Sequence, residues 1–478
     1  MKMLIAGQSV ESVLGRSFPV HNPATGEVIE CVPQAGPEDV RLALASARKG
    51  RDIMASLPAH ERSDILKRTA ELIGAHLEEL SQLLTAENGK TIRQCRAEVD
   101  RTRRLFEDFA EEAKRIRGDY LPMDAVPGLE RMIAYTVRQP VGIVFGIVPF
   151  NYPVELFAHK IPGAIAAGCA VIVKVPELCP LALLRIGEIM LEAGMPGDGM
   201  QMLTGFPQPM GDELLTDPDV RMISFTGSVN TAKLIAGKTA GSLKKFAFEL
   251  GGTDAMIVME DADLSAAADA VVDGRLTNGA GQICCAVKRV LVQESVYTDF
   301  LNTLLERRNK INMGDPRNED TNLGPLISAA AAEKVDAQVT ESLRMGARCL
   351  AGGKRVEPNF YQPTILVDVT TEMPVMKDEV FGPVAPVLAF KDANQAVEIA
   401  NDSPYGLQSS VFSSNISTAL KLAHRLEVGG VVINGTCAFR PGNVPFGGAK
   451  QSGIGRESIV ESVREMTEVK TIVINEAL

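Results

Sequence analysis

Along residues 62–88, Ile65, Leu66, Ile73, Leu77, Leu80 and Leu84 recur on a 3.6-residue period and Gly89 follows, which predicts one helix stopped by glycine. A charged stretch over 97–117 reads as a second helix. The next twenty or so residues carry Pro122, Pro127 and Gly128 and then alternate through 132–137, predicting a hairpin that projects from the body. From Gln139 the pattern changes. VGIVFGIVPF is a buried-strand run, 154–167 reads helical, AVIVKV (170–175) reads as a strand and 181–192 as a helix. Short strands follow at 200–203 and 222–225, with a Pro/Gly-rich turn and a short helix between them.

Strands alternating with helices at this spacing imply parallel βαβ units and a doubly wound sheet. A second such series starts near Phe246, with strand AMIVM, a helix over 264–278 and strand VLVQ. The pattern therefore predicts two α/β domains with a boundary near Glu249. The terminal TIVIN is an isolated strand without a neighbour to pair with locally, so a partner in another domain or subunit is expected.

Bulk properties narrow the function classes. The 478 residues exceed one compact core, in agreement with two or three domains. A net charge of −11 gives no footprint for nucleic acid or an anionic membrane surface. No apolar run approaches the ~18 residues of a membrane span. The opening MKMLIAGQSVESVLGRSFPV has no long apolar core and no A-x-A-like cleavage site, which points away from secretion and toward the cytoplasm. The eight cysteines, Cys31, Cys95, Cys169, Cys179, Cys284, Cys285, Cys349 and Cys437, are scattered without any C-x-x-C pair, as reduced thiols are.

Several chemistries are excluded. Gly-Lys-Thr at 89–91 and 237–239 lacks the preceding P-loop glycine, since Leu84 and Ala232 stand there. There is no G-x-S-x-G elbow and no H-E-x-x-H, and the histidines number five, so no metal site is expected. Asp261 and Asp263 begin like a calcium loop, but its glycine is missing; an acidic start to the following helix explains them. No G-x-G-x-x-G follows a strand, so a dinucleotide would need a variant fingerprint.

The remaining candidate is Cys284 in NGAGQICCAVKR (278–289), between a helical run and a strand, with Gly279 and Gly281 leaving backbone open to a ligand. A lone cysteine is commonly a buried filler. Its context is not that of a lone residue. PFNYP (149–153), KVPE (174–177), FTGS (225–228), ELGG (249–252), GQICC (281–285), EVFGPV (379–384) and PFGGAKQSGIGRE (445–457) together resemble the aldehyde dehydrogenase superfamily, end to end and in its order.

That resemblance implies a variant Rossmann cofactor domain over 1–118 and 139–248, and a catalytic domain over 249–434. It also implies an oligomerisation element over 119–138 and 458–478, with 435–457 returning to the active-site mouth. It makes Cys284 the nucleophile, Glu249 the base for the deacylating water, and Asn151 an oxyanion donor together with the Cys284 N–H. Cys285 reads as a passenger, since consecutive side chains point different ways. Lys174 and Glu177 would hold the adenosine ribose, Gly227 and Ser228 the pyrophosphate at a helix N-terminus, and Glu379, Phe381 and Pro149 the nicotinamide half. The implied cofactor is NAD, with NADP also compatible; Glu177 favours NAD by repelling a 2′-phosphate. Asn230 and Ala232 depart from the acidic residue and glycine that the family often has in that helix.

Substrate contacts are expected from Tyr152, Ile283 and Arg440. PFNYP and KRVLV resemble the lactaldehyde and glyceraldehyde-3-phosphate branches, and succinate semialdehyde dehydrogenases place anion-binding residues at the same mouth. Ile283 stands where enzymes of phosphorylated aldehydes often carry a basic residue. The expected reaction is oxidation of a short polar aldehyde, by a homodimer or homotetramer. A CoA-acylating enzyme, a phosphorylated-aldehyde dehydrogenase and a catalytically silent binding protein are the alternatives. Glu249 argues against the first, and the intact Cys284, Glu249, Asn151 and Lys174 against the last.

Overall fold

The computed structural model describes residues 1–356 and 358–475; the last three residues of the expected terminal element, 476–478, lie outside the described residues. Its centre is two sheets. The first has eight strands in the order Gln8–Val10, Met3–Ile5, Met200–Leu203, Ala170–Lys174, Ile143–Ile147, Val220–Thr226, Lys245–Glu249, Gly453–Ile454. The five from Met200–Leu203 to Lys245–Glu249 run parallel, each buried run sitting between helices. This is why these strands read as continuous apolar stretches, without alternation. The second sheet has seven strands within 255–433, parallel except for Arg348–Ala351 at its edge. The α/β doubly wound class expected from the alternation is thus the architecture observed.

Between the first two parallel strands runs Pro153–Ala167, buried along its whole length and ended by Gly168 at φ +87°. A helix buried on every side belongs inside a layer; its Glu155 and Lys160 are paired with Arg101 and Glu457, and PFNYP runs into its first turn at Pro153. The orphan terminal strand finds a partner. Thr467–Ile474 pairs antiparallel over its full length with Ile133–Pro140, and Tyr120–Leu121 completes a three-stranded sheet.

Local differences from the sequence reading have physical reasons. The single helix over 62–88 is two, Ala59–Ala75 and Leu77–Asn88, because His76 leaves the helical region at φ −101°, ψ 17°. The helix over 264–278 stops regular winding at Val271 and widens into a π-type turn over Val272–Thr277. Wide turns of this kind mark strained functional stretches, and this one leads into the nucleophile loop. Ile459–Glu465 is a helix whose Ile459 and Val463 join the core of the first sheet. The three-stranded sheet therefore takes up the chain only at Thr467, later than the expected 458.

Candidate active site

Three consecutive left-handed residues, Gly279 (φ +55°), Ala280 (φ +51°) and Gly281 (φ +71°), turn the chain after the π-type turn. Gly281 cannot be replaced: a Cβ there would lie 2.4 Å from the Gly382 carbonyl oxygen and 2.6 Å from that of Arg275. The fully buried Arg275 donates to the carbonyls of Gly281, Val380 and Val384, fastening this loop to the EVFGPV segment. A guanidinium with several carbonyl acceptors satisfies its donors without a carboxylate. The result is a rigid loop that presents Cys284 half-buried at a junction of cavities.

One cavity, of about 430 Å³, is lined by Pro149, Lys174, Glu177, Gly227 and Ser228. A second, of about 340 Å³, shares Pro149, Gly227 and Ser228 with it and adds Glu249, Cys284, Glu379 and Phe381. A third, of about 400 Å³, opens from the other side and is lined by Arg101, Tyr152, Ile283, Cys285 and Arg440. Cys284 and Asn151 line both the second and the third. All thirteen expected site residues thus fall on one branched channel, with Cys284 and Asn151 where the branches meet.

A model of the aldehyde dehydrogenase family matches residues 10–472 of this chain. The chain belongs to that family. It is 40% identical over 456 residues to a 3-sulfolactaldehyde dehydrogenase of Priestia aryabhattai, covering 95% of this chain and 94% of the relative. It is 39% identical over 472 residues to the mitochondrial succinate-semialdehyde dehydrogenase of Arabidopsis thaliana, covering 98% and 88%. Its fold matches the crystal structure of an NAD-dependent aldehyde dehydrogenase from Sinorhizobium meliloti with a TM-score of 0.96 at 36% identity, covering 100% of this chain and 95% of that one. The protein is an oxidoreductase, an NAD(P)-dependent aldehyde dehydrogenase.

In this aldehyde dehydrogenase the channel fits a dinucleotide. Ser228 caps the helix Val229–Thr239, its Oγ accepting from Thr231 N–H at 3.2 Å, and Gly227, Ser228 and Thr231 line the first cavity, so the helix N-terminus stands on its wall. The buried Thr226 Oγ makes no hydrogen bond among the described residues. Lys174, at the end of its strand, forms an ion pair with Glu177 on the cavity wall. Phe381 packs edge-on against Phe150, ring centroids 6.0 Å apart.

Around the sulfur, Asn151 donates an amide N–H to the Gln282 carbonyl at 2.9 Å, which orients it beside the loop. Tyr152 donates its hydroxyl to Asn278 Oδ1 at 2.7 Å, and the Lys90 ammonium lies 4.0 Å above its ring. The Cys284 thiol is pulled down to about 7, chiefly by a hydrogen bond with Cys285 and by Arg440 and Lys288, against the burial that opposes ionisation. The Cys285 thiol is pushed well up by the same bond and by burial. Both cysteines line the third cavity, which corrects the expectation that only one could face it. The loop is not extended here, so alternation does not apply; of the two, Cys284 alone reaches the second cavity.

Glu249 ends the strand Lys245–Glu249, is buried, and has an Oε2 unpartnered among the described residues. Burial, and after it the Glu457 charge, push its carboxyl well up, while Arg440 and Lys160 pull the other way. Arg440 itself is engaged: its Nη2 donates to Glu457 Oε2 at 2.6 Å, and its guanidinium lies 4.1 Å from the Phe446 ring centroid. Arg101, inside the long charged helix Ile92–Ala113, and Lys288, in the KRVLV stretch, were not singled out from the sequence. Nothing local marks them, because their relation to the site arises only from chain packing.

Proposed function

We propose that this enzyme oxidises a short anionic or hydroxylated aldehyde to its carboxylate through a covalent Cys284 intermediate. The observation that carries this reading is the position of Cys284 and Asn151 at the junction of the two cavities. The thiolate of Cys284 attacks the aldehyde carbon, forming a C–S bond while the carbonyl π pair becomes an oxyanion. The Asn151 amide and the Cys284 N–H donate to that oxygen. A nicotinamide cofactor held by Lys174, Glu177, Ser228 and Glu379 would supply the hydride acceptor, and loss of that hydride from the reacting carbon lets the oxyanion close to the C=O of a thioester on Cys284. Glu249 takes a proton from water, which adds to the thioester carbon and expels Cys284 as thiolate, so the nucleophile is regenerated. The Lys174–Glu177 pair, with Ser228 and Glu379, lines the cofactor branch, and Glu177 supports a preference for NAD. With NAD, kcat/KM should exceed that with NADP, and Glu177→Ala should raise the NADP value by removing like-charge repulsion. A clear NADP preference in the wild type would refute this part.

Substrate class is supported by the third cavity, where Arg101, held by Glu155 at 2.8 Å, and Arg440 supply two guanidinium groups near Tyr152. Sulfolactaldehyde and succinate semialdehyde, the substrates named for two relatives, are both short and anionic. Both guanidinium groups are paired, Arg440 with Glu457 and Arg101 with Glu155, but the Arg101 side chain is 44% exposed against 10% for Arg440, so Arg101 has more room to turn toward a substrate. Ile283, buried on the cavity wall, brings no third charge for a phosphate dianion. The test compares kcat/KM for succinate semialdehyde, 3-sulfolactaldehyde, lactaldehyde, glyceraldehyde-3-phosphate and hexanal. Arg101→Ala and Arg440→Ala should each lower the best anionic substrate by about 10- to 100-fold, the worth of a charged hydrogen bond, and hexanal far less. Hexanal as best substrate, or an unchanged ranking in both variants, would defeat the assignment. The exposed Val469, Val473 and Ile474 on Thr467–Ile474 support homo-oligomerisation through this strand.

A further inference from the structure

Lys288 is a fully buried cation beside the nucleophile, and the mechanism above does not use it. Its ammonium donates to the carbonyl oxygen of Cys284 and lies 2.9 Å from Glu379 Oε1. The same Oε1 accepts from the Gly252 N–H at 3.3 Å, so Glu379 is held from two sides. Gly251 leaves room for that carboxylate: a Cβ there would fall 2.1 Å from Glu379 Oε2. One ammonium thus touches the main chain of the thiol loop and a carboxylate that lines the cofactor branch of the channel. The two segments it joins are far apart in sequence and are also fastened to each other by Arg275. A buried lysine with two acceptors is costly to desolvate and is fixed by both of them.

We propose that Lys288 is a positioning residue that couples Glu379 to Cys284, so that engagement of the cofactor-side carboxylate is felt at the nucleophile. The inference rests on the reading of Cys284 as nucleophile and Glu379 as a cofactor contact. The charged and titratable groups facing Lys288 are Glu379, Asp254, Cys284, Cys437 and Tyr405; those facing Cys284 are Cys285, Arg440, Lys288, Glu379, Glu249 and Asp254. The opposing charges of Glu379 and Asp254 keep Lys288 protonated despite its burial. When Glu379 accepts hydrogen bonds from ribose hydroxyls, it neutralises Lys288 less completely, and more of the positive charge acts on the Cys284 sulfur.

The experiment needs no turnover. The affinity for NAD+ is measured by calorimetry, and alkylation of Cys284 by iodoacetamide is followed against pH, with and without NAD+. Lys288→Met should weaken NAD+ binding about tenfold, as loss of a charged hydrogen bond does, and move the alkylation midpoint upward, while Lys288→Arg should recover much of the midpoint. Glu379→Gln should weaken binding similarly in the wild type but add little in the Lys288→Met background. Independent, multiplying effects, or a Lys288→Met protein with unchanged binding and midpoint, would overturn the proposal. Should the Lys288 variants not fold, Glu379→Gln decides it: NAD+ should lower the alkylation midpoint in the wild type and not in this variant, and equal shifts in both count against the coupling. If alkylation of Cys284 leaves oxidation intact, the nucleophile assignment fails instead. If Glu379→Gln binds NAD+ normally in the wild type, the cofactor contact fails.

Discussion

Cys284→Ala should abolish aldehyde oxidation, a loss on the order of 10⁴-fold or more, because no other group at the junction can carry the covalent step. Cys285→Ala should keep most of the activity at high pH. The two variants differ because Cys284 alone of the pair borders the cofactor branch of the channel. The neighbouring thiol is nevertheless not inert. Its hydrogen bond is the largest contribution holding the Cys284 thiol at about 7. The thiolate is the reactive form, so kcat/KM in the wild type should climb as pH rises through about 7 and level off above it. In Cys285→Ala that climb should move to higher pH, toward the ordinary thiol range of ~8.5. A pH profile of kcat/KM for both proteins checks this. Oxidation surviving in Cys284→Ala while vanishing in Cys285→Ala would reverse the assignment, and an unmoved profile in Cys285→Ala would remove the neighbour from the account.

Much of this was legible in the sequence because the information was local. The alternation of apolar strands and amphipathic helices from Gln139 onward reflects sheets covered on both faces, and burial on both faces leaves its mark residue by residue. The orphan character of TIVIN was legible too, although its partner, Ile133–Pro140, lies more than three hundred residues earlier. Motif residues such as Cys284, Glu249 and Asn151 converge on one channel because Glu249 ends a strand, Asn151 stands just before a helix, and Cys284 rides on the loop that Arg275 fastens at the same edge. What failed to show was non-local. Periodicity ran across His76 because the apolar stripe continues on both sides of the break. Alternation is no guide to Cys284 and Cys285, because their loop is wound through three left-handed residues. Arg440 was visible as a cation near the mouth, yet its pairing with Glu457 was not, since a sequence does not say which of two charges is already satisfied. Arg101 and Lys288 looked like members of ordinary charged stretches for the same reason.

The Glu249 neighbourhood makes the second large prediction. Glu249→Gln should still reduce close to one equivalent of NAD+ per site in a single turnover, while steady-state turnover falls by about 10²- to 10⁴-fold, the usual range for losing a positioned base. The split follows from the order of events: acylation and hydride departure need Cys284 and Asn151, whereas only release of the thioester needs the base. Burial and the Glu457 charge hold the Glu249 carboxyl well above its ordinary range, and it acts as a base only when ionised. Hydrolysis should therefore gain rate with rising pH. At the acid end of the profile the wild type should itself show a burst of NADH followed by a slower phase, and the burst should shrink as pH rises and hydrolysis catches up. Lys160 and Arg440, both on Glu457, oppose this upward push. Rapid-mixing absorbance at several pH values measures both phases. A Glu249→Gln protein without a burst would place Glu249 before hydride transfer, and one with undiminished steady-state rate would show that another group activates the water.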